Sequence, residues 1–268
     1  MNIPQDYHTH TSFSCDGHDS PEKMVREAAQ KKIPELGISE HFDNHPREVC
    51  TGKFIFERWW VAFEQASQTG AGLGVSLKAG VEAGEPHRFA SQLRALLDRG
   101  PFDYVLGSLH WIGDETPFER TFFRGRTQRE VFKIYFDEMA TMLDQADIDI
   151  LGHLDLPNRA SHYHYGTYDP ALLEDLIRPI LDKVIRRGIA LDINTSALRK
   201  PAQVLSPGER ILRWYREMGG ERITLGSDAH YAHHVGAGLE AALSAAQNAG
   251  FTHLTQFTRR QPVLVPIS

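Results

Sequence analysis

The chain has 268 residues, 41% of them hydrophobic and 24% charged, a balance that fits an ordinary globular protein with one domain over residues 1–268. Its formal charge of −6 argues against a protein that coats nucleic acid, so no nucleic-acid partner is expected, while a local basic pocket stays compatible with that total. No stretch approaches the roughly 20 apolar residues needed to cross a bilayer, and MNIPQDYHTH has neither the charged nor the apolar region of a signal peptide, so a cytoplasmic protein without a membrane partner is expected.

Internal repeats and low-complexity runs are absent, and the informative pattern is alternation. Short apolar segments bounded by glycine, proline or charge read as buried strands at Ile3–Tyr7, Glu35–Ile38, Val75–Val81, Asp103–Leu106, Ile148–Leu151, Ile189–Ile193 and Arg222–Leu225. Between them, apolar residues at helical spacing predict helices over Pro21–Lys31, Phe56–Gln68, His87–Asp98, Gln128–Gln145, Pro170–Arg187 and Pro207–Met218. Ser20-Pro21 and Asp169-Pro170 resemble an N-cap followed by proline in the first turn, and Gly188 and Gly219-Gly220 resemble helix stops. Strand followed by helix along a whole chain implies a parallel sheet, and seven such units favour a closed α/β barrel over an open doubly wound sheet. Residues 111–126 form a long connection of mixed charge, expected to be a lid or substrate loop. The two cysteines, Cys15 and Cys50, are too few for a disulfide framework and are read as free thiols.

The chemistry lies at the predicted strand ends. After the first strand comes DYHTHTSFSCDGHD, where His8 and His10 stand one residue apart and can present two imidazoles on one side of an extended chain. Later strands end in SEH with His41, VEAGE with Glu82, GSLH with His110, GHLD with His153 and GSDAH with Asp228 and His230. In a (β/α) barrel the C-terminal ends of all strands face one rim, so these groups would meet there. With Asp16 they make nine potential ligands, too many for one tetrahedral ion and suited to three divalent ions, Zn, Fe or Mn, that keep positions open for water and substrate.

These motifs resemble the polymerase and histidinol phosphatase (PHP) domain family, and within it the monofunctional histidinol-phosphate phosphatases, over nearly the whole chain. The matching elements are HTHT with Asp16 six residues beyond His10, SEH, VEAG, GSLH, GHLD and GSDAH; DINTSALRK resembles the strand-six motif, and HLDLPNRA places Arg159 near the fifth-strand ligand. The resemblance implies a distorted seven-stranded TIM-like barrel with its active site at the C-terminal ends of the strands. It also implies one metal on His8, His10, Glu82 and Asp228, a second on Glu82, His110 and His153, and a third on Asp16, His41 and His230.

The activity it implies is hydrolysis of a small phosphate monoester, L-histidinol phosphate, to L-histidinol and phosphate. Phosphate monoesters hydrolyse very slowly unaided, so the site must supply a nucleophile at neutral pH and offset charge on phosphoryl oxygens. A hydroxide bridging the two ions that share Glu82 would be the nucleophile. Glu82, Asp228 and His230 are the expected catalytic residues, and Arg159 and Arg199 the expected phosphate-binding residues, a guanidinium being a planar fork matched to phosphate oxygens. Asp43, Asp114 and Glu115 are candidates for the substrate ammonium and imidazole. His18, His45, His87, His162, His164, His233, His234 and His253 are read as surface or packing residues, and the aromatic residues at 54–63 as a helix packed on the barrel. The competing activities are a phosphoesterase or exonuclease acting on nucleotides, a non-catalytic metal-binding module, and hydrolysis of a carbon–nitrogen bond. The first lacks a basic groove in the sequence, and the last makes no use of the two arginines.

Overall fold

A computed structural model of the chain describes residues 2–166 and 168–267. Its centre is a six-stranded parallel sheet in which every neighbour in space is the neighbour in sequence: β1 (Glu35–Phe42), β2 (Ser76–Gly84), β3 (Tyr104–Ser108), β4 (Ile150–Leu151), β5 (Ala190–Asn194) and β6 (Ile223–Gly226). Consecutive parallel order with helical crossovers is what alternating strand and helix demands. The helices are α1 (Pro21–Gln30), α2 (Phe56–Leu73), α3 (Ala90–Leu97), α4 (Arg120–Phe123), α5 (Gln128–Gln145), α6 (Asn158–Tyr165), α7 (Glu174–Arg187), α8 (Glu209–Glu217) and α9 (Leu239–Asn248). Their apolar faces cover the sheet in a continuous core that includes Met24, Leu36, Trp59, Tyr135, Leu181, Ile193, Leu212 and Leu243. No helix among the described residues is long and apolar enough to cross a membrane.

The expected first strand, Ile3–Tyr7, is not a regular strand. Only isolated parallel bridges form, from Asp6 to Leu36 and from Thr9 to Ala229. The physical reason is a break in the ladder at Tyr7, whose carbonyl accepts from Tyr104 Oη while Ser227 N, which would otherwise bond it, turns to the Asp6 carboxylate. On one side Asp6 N donates to Glu35 O and Gly37 N to Asp6 O; on the other Tyr7 N donates to Leu225 O, Asp228 N to His8 O and His10 N to Ala229 O. The Asp6 carboxylate meanwhile accepts from Ser227 N at 2.9 Å and Gly236 N at 2.8 Å. Residues 6–10 thus lie between the two outer strands of the curled sheet, bonded to both.

Three helices begin later than expected, the first being α3, which starts at Ala90 and not at His87. The Asp169 side chain caps a 3₁₀ turn at Pro170–Leu173, accepting from Ala171 N, and α7 follows at Glu174; Gly188, with φ of 64°, stops it. Helix α8 starts at Glu209, after a Gly208 N-cap, not at Pro207. Ser20 does cap α1, and Thr127 with Glu130 forms a reciprocal capping box on α5.

A C-terminal antiparallel hairpin, β7 (His253–Thr258) with β8 (Gln261–Pro266), plugs the end of the sheet away from the histidines. Phe257 packs with Tyr7 and Tyr104 inside the curl, Phe257 N donates to Tyr7 Oη, and Tyr104 Oη donates to Tyr7 O at 2.7 Å. Gly37 and Gly80 admit that tyrosine, since a Cβ at either position would collide with its phenol ring. Arg260, at the hairpin turn, pairs with Asp147 and Asp149 just before β4.

Candidate metal centre

Strand register decides which side chains meet. His41 and Glu82 are direct partners in the β1–β2 ladder, at the C-terminal ends of both strands. Ser108 ends β3 two residues before His110, and β4 ends two residues before His153. The connection after β6 brings Asp228 beside His8 through the Asp228 N to His8 O bond.

Glu82 is the hub, almost wholly buried. Its Oε2 lies 3.4 Å from His8 Nε2, 3.3 Å from His10 Nε2 and 3.0 Å from His41 Nδ1, while Oε1 lies 3.4 Å from His110 Nε2 and 3.0 Å from His153 Nε2. Ser108 Oγ donates to the same Oε1 at 2.6 Å. Asp228 Oδ1 faces His8, His10 and His230 at 3.9, 3.7 and 3.6 Å. Asp16 spans the outer pair, with Oδ1 3.5 Å from His41 Nε2 and Oδ2 3.1 Å from His230 Nε2. All nine residues singled out in the sequence are brought together at one end of the sheet.

The donor set fits divalent cations. His8 Nε2, His10 Nε2 and His41 Nδ1 are buried nitrogens without a hydrogen-bond partner, an expensive state for a polar atom and the expected one for a metal ligand. Among the described residues, five groups could hold an ion: His8, His10 and Glu82; Glu82, His110 and His153; His10, His41 and His230; His41, Asp43 and His110; and Cys15, Asp16 and Cys50, the last with its two sulfurs joined in a disulfide. Within the cluster the charges are shared out: against the effect of burial, the carboxylates Glu82, Asp228, Asp43 and Asp16 push the His8, His41, His110 and His230 rings up, so bound cations would take the place of protons there, whereas burial pushes His10 down. Burial alone would raise the Glu82 carboxyl, but the fields of His8 and His41 and the hydrogen bonds of His110 and His153 hold it well below its ordinary range. Asp228 is likewise buried yet held down by His8, Arg159, His230 and His10. Burial pushes His153 down to about 4, leaving a neutral ring with a free lone pair.

Above the hub opens a cavity of about 710 Å³. Arg159 and Arg199 both line it. Arg159 Nη2 donates to Asp228 Oδ2 at 2.8 Å and Asn194 Oδ1 at 3.2 Å. Arg199 Nη2 donates to Ser227 O and Asp228 O, and Nη1 to Ala237 O. From residues 111–126 only Pro117 and Phe118 are among the lining residues, along with Tyr163, Tyr231 and His234.

The three acidic candidates for substrate contacts fare differently. Asp43 lines the cavity, but its oxygens sit 3.3 Å from His110 Nδ1 and 3.6 Å from His41 Nδ1, so it serves the histidines. Asp114 is an exposed side chain outside the lining, and Glu115 is tied to Arg126 at 2.7 Å. Sequence reasoning missed the supporting polar residues. Glu40 is buried between Ser14 and Thr11; Glu85 accepts from the backbone N–H of His110 and Trp111, fixing the turn that carries His110. Glu40 and Glu85 stand inside SEH and VEAGE, so the motifs themselves were the available signal.

The cysteines are a correction. Cys15 and Cys50 are not free thiols but form a disulfide at the cavity wall, one residue from Asp16. The 35-residue separation was crossed because the loop after His10 folds back against the loop after β1. Reducing the bond is expected to lower stability by about 3–4 kcal/mol from the restored entropy of a loop that size. Urea unfolding with and without dithiothreitol measures it, and identical midpoints would show that the bond contributes nothing.

The PHP domain family model matches residues 6–196. A probable histidinol-phosphatase of Clostridium acetobutylicum is 33% identical over 91% of this chain and 92% of its own length. The histidinol-phosphatase of Lactococcus lactis is 28% identical over 94% of each. The crystal structure of the Lactococcus lactis histidinol phosphate phosphatase, complexed with zinc, L-histidinol and phosphate, superposes with a TM-score of 0.86 at 26% identity, covering 97% of this chain and 98% of that one. A family model that spans most of the chain, relatives aligned nearly end to end and the clustered histidines and carboxylates lead to one assignment: the chain belongs to the PHP domain family.

Proposed function

We propose that this chain is a metal-dependent phosphatase that hydrolyses L-histidinol phosphate to L-histidinol and phosphate. The observation that carries the reading is Glu82 ringed by five imidazoles at 3.0–3.4 Å beneath a cavity whose wall bears two arginines. The names of the aligned relatives and the ligands of the Lactococcus lactis neighbour support the substrate. We assign three ions, zinc by analogy with that neighbour: one to His8, His10, Glu82 and Asp228, one to Glu82, His110 and His153, and one to Asp16, His41 and His230. Residues 6–10, bonded to both outer strands, take the seventh position of a distorted barrel.

Bound ions would act as Lewis acids toward phosphoryl oxygens and lower the pKa of water from 15.7 to about 7. The protein's own groups do the rest. Glu82 stays a carboxylate and offers one oxygen to each of two ligand sets. Asp228, also ionised, has Oδ1 turned to the same centre, where it can take a proton from the attacking water and pass it to the leaving alkoxide, giving histidinol and restoring the carboxylate. Arg159, oriented by Asp228 and Asn194, and Arg199, anchored on three carbonyls, clamp the phosphate oxygens from one wall. Phe118 and Tyr163, both largely exposed, enclose the organic part of the ester.

The test is metal analysis of the purified protein followed by comparison of kcat/KM for L-histidinol phosphate, nucleoside monophosphates and p-nitrophenyl phosphate. A preference of roughly a hundredfold or more for histidinol phosphate is expected, the scale set by specific polar recognition. A preference for nucleotides would remove the substrate and leave the metal site standing; no turnover of any ester by metal-loaded protein would remove the activity.

A further inference from the structure

An imidazole that faces a cation with Nε2 must carry its single proton on Nδ1, and the group bonded to Nδ1 fixes both tautomer and ring angle. His8 meets that requirement through a residue that lies outside the ligand set and is not among those lining the cavity above the hub. Its Nδ1 is 3.1 Å from Asp192 Oδ2, and both side chains are completely buried. The other ring nitrogen, Nε2, is the one without a partner, turned toward Glu82 and Asp228.

The strands are built for this contact. Asp192 and Thr224 are ladder partners on β5 and β6, and Thr224 Oγ1 donates to Asp192 Oδ1 at 3.4 Å. Two residues along the same ladder, Asn194 is paired with Gly226. A Cβ on Gly226 would stand 2.6 Å from both Asp192 Oδ1 and His8 Cβ, so that glycine is what lets carboxylate and imidazole meet. Asn194 Nδ2 lies 3.4 Å from His8 Nδ1, 3.5 Å from Asp192 Oδ2 and 3.2 Å from Asp228 Oδ2. One polar chain therefore runs from Asp192 to Asp228. Asp43 at His110 is a weaker case, because it also faces His41 and the cavity.

We infer that Asp192 is a positioning residue: by accepting the Nδ1–H of His8 it aims the Nε2 lone pair at the ion shared with His10, Glu82 and Asp228. The inference rests on the metal-site reading above. It assigns Asp192 no contact with substrate and places its effect on one ion of the cluster.

The experiment is a zinc titration of apo-protein against a chromogenic chelator, for wild type, Asp192→Asn and Thr224→Val, with thermal melting of each apo-protein alongside. Asp192→Asn is isosteric but can donate an amide proton to Nδ1, which favours the wrong tautomer. One zinc per chain is expected to weaken 10- to 100-fold, the scale of lost support behind a metal-bound histidine. The remaining ions should change less than about threefold, and the apo melting temperature should hold. Thr224→Val keeps the carboxylate and removes its hydroxyl support, so a loss of about five- to tenfold confined to the same ion is expected; if Asp192→Asn does not fold, unchanged affinity at that ion in Thr224→Val overturns the role. Unchanged affinity at every ion in Asp192→Asn, or all ions weakening together with a lowered apo melting temperature, would overturn the positioning role. Wild type that binds no zinc, iron or manganese would instead overturn the metal site on which the inference stands.

Discussion

Glu82→Gln is expected to lower kcat toward L-histidinol phosphate by roughly a thousandfold or more, equivalent to about 4 kcal/mol of transition-state stabilisation. The substitution keeps shape and removes charge. One end of the glutamine side chain becomes an N–H donor, yet Oε1 and Oε2 each face histidine nitrogens that must keep lone pairs for cations. Whichever way the amide turns, one of the two ligand sets loses its anionic oxygen. In the apo-protein the amide escapes the carboxylate's desolvation penalty but leaves the surrounding imidazoles without their counter-charge, so the melting temperature should fall, by far less than turnover does. Metal content by atomic emission, steady-state kinetics and a thermal melt separate the effects. Activity within tenfold of wild type would mean that the carboxylate does not sit between two ions.

Much of this arrangement was legible in the sequence because barrels concentrate chemistry at strand ends. His41, Glu82, His110 and His153 could be placed on a common rim without knowing a single contact, since each follows a predicted strand by one to four residues. What was not legible depends on long-range pairing or on weak local signals. The segment before His8 was read as a strand from its apolar character, but its ladder to β6 breaks at Tyr7, where Tyr104 Oη and the Asp6 carboxylate take the backbone bonds, a break no local pattern reports. Helix α9, LEAALSAAQN, does carry helical spacing in Leu239, Ala242, Leu243 and Ala246, a signal the expected elements leave unused, whereas α6, NRASHYHY, is short and polar. The β7–β8 hairpin turns on Arg259 and Arg260 at φ of 50° and 63°, in place of the Asn-Gly or Asp-Gly that marks such a turn. Its conformation is held by tertiary bonds, Arg259 N to Asp103 Oδ1 and Arg260 to Asp147 and Asp149. Cys15 and Cys50 belong to the same class: their meeting follows from how two loops fold over the cavity.

Asp228→Asn is expected to lower kcat/KM by about 10²–10³-fold, roughly 3–4 kcal/mol, with both terms affected. The residue sits where several tasks cross. Its Oδ1 faces the three imidazoles of His8, His10 and His230, and its Oδ2 orients Arg159 at 2.8 Å. An amide there loses the charge toward the cations and lets the guanidinium turn away from the phosphate, so KM should rise while kcat falls. Backbone geometry makes the choice of substitution informative. Asp228 has φ of 53°, in the left-handed region that asparagine and aspartate enter more readily than other non-glycine residues. Asp228→Asn should therefore melt close to wild type as apo-protein, whereas Asp228→Ala adds a backbone cost of about 1–2 kcal/mol and should melt lower. If asparagine restored near-normal turnover and alanine alone abolished it, the residue would matter for the shape of the turn and not for its charge. If both variants lost turnover alike while only alanine lost stability, the carboxylate itself would be the working part.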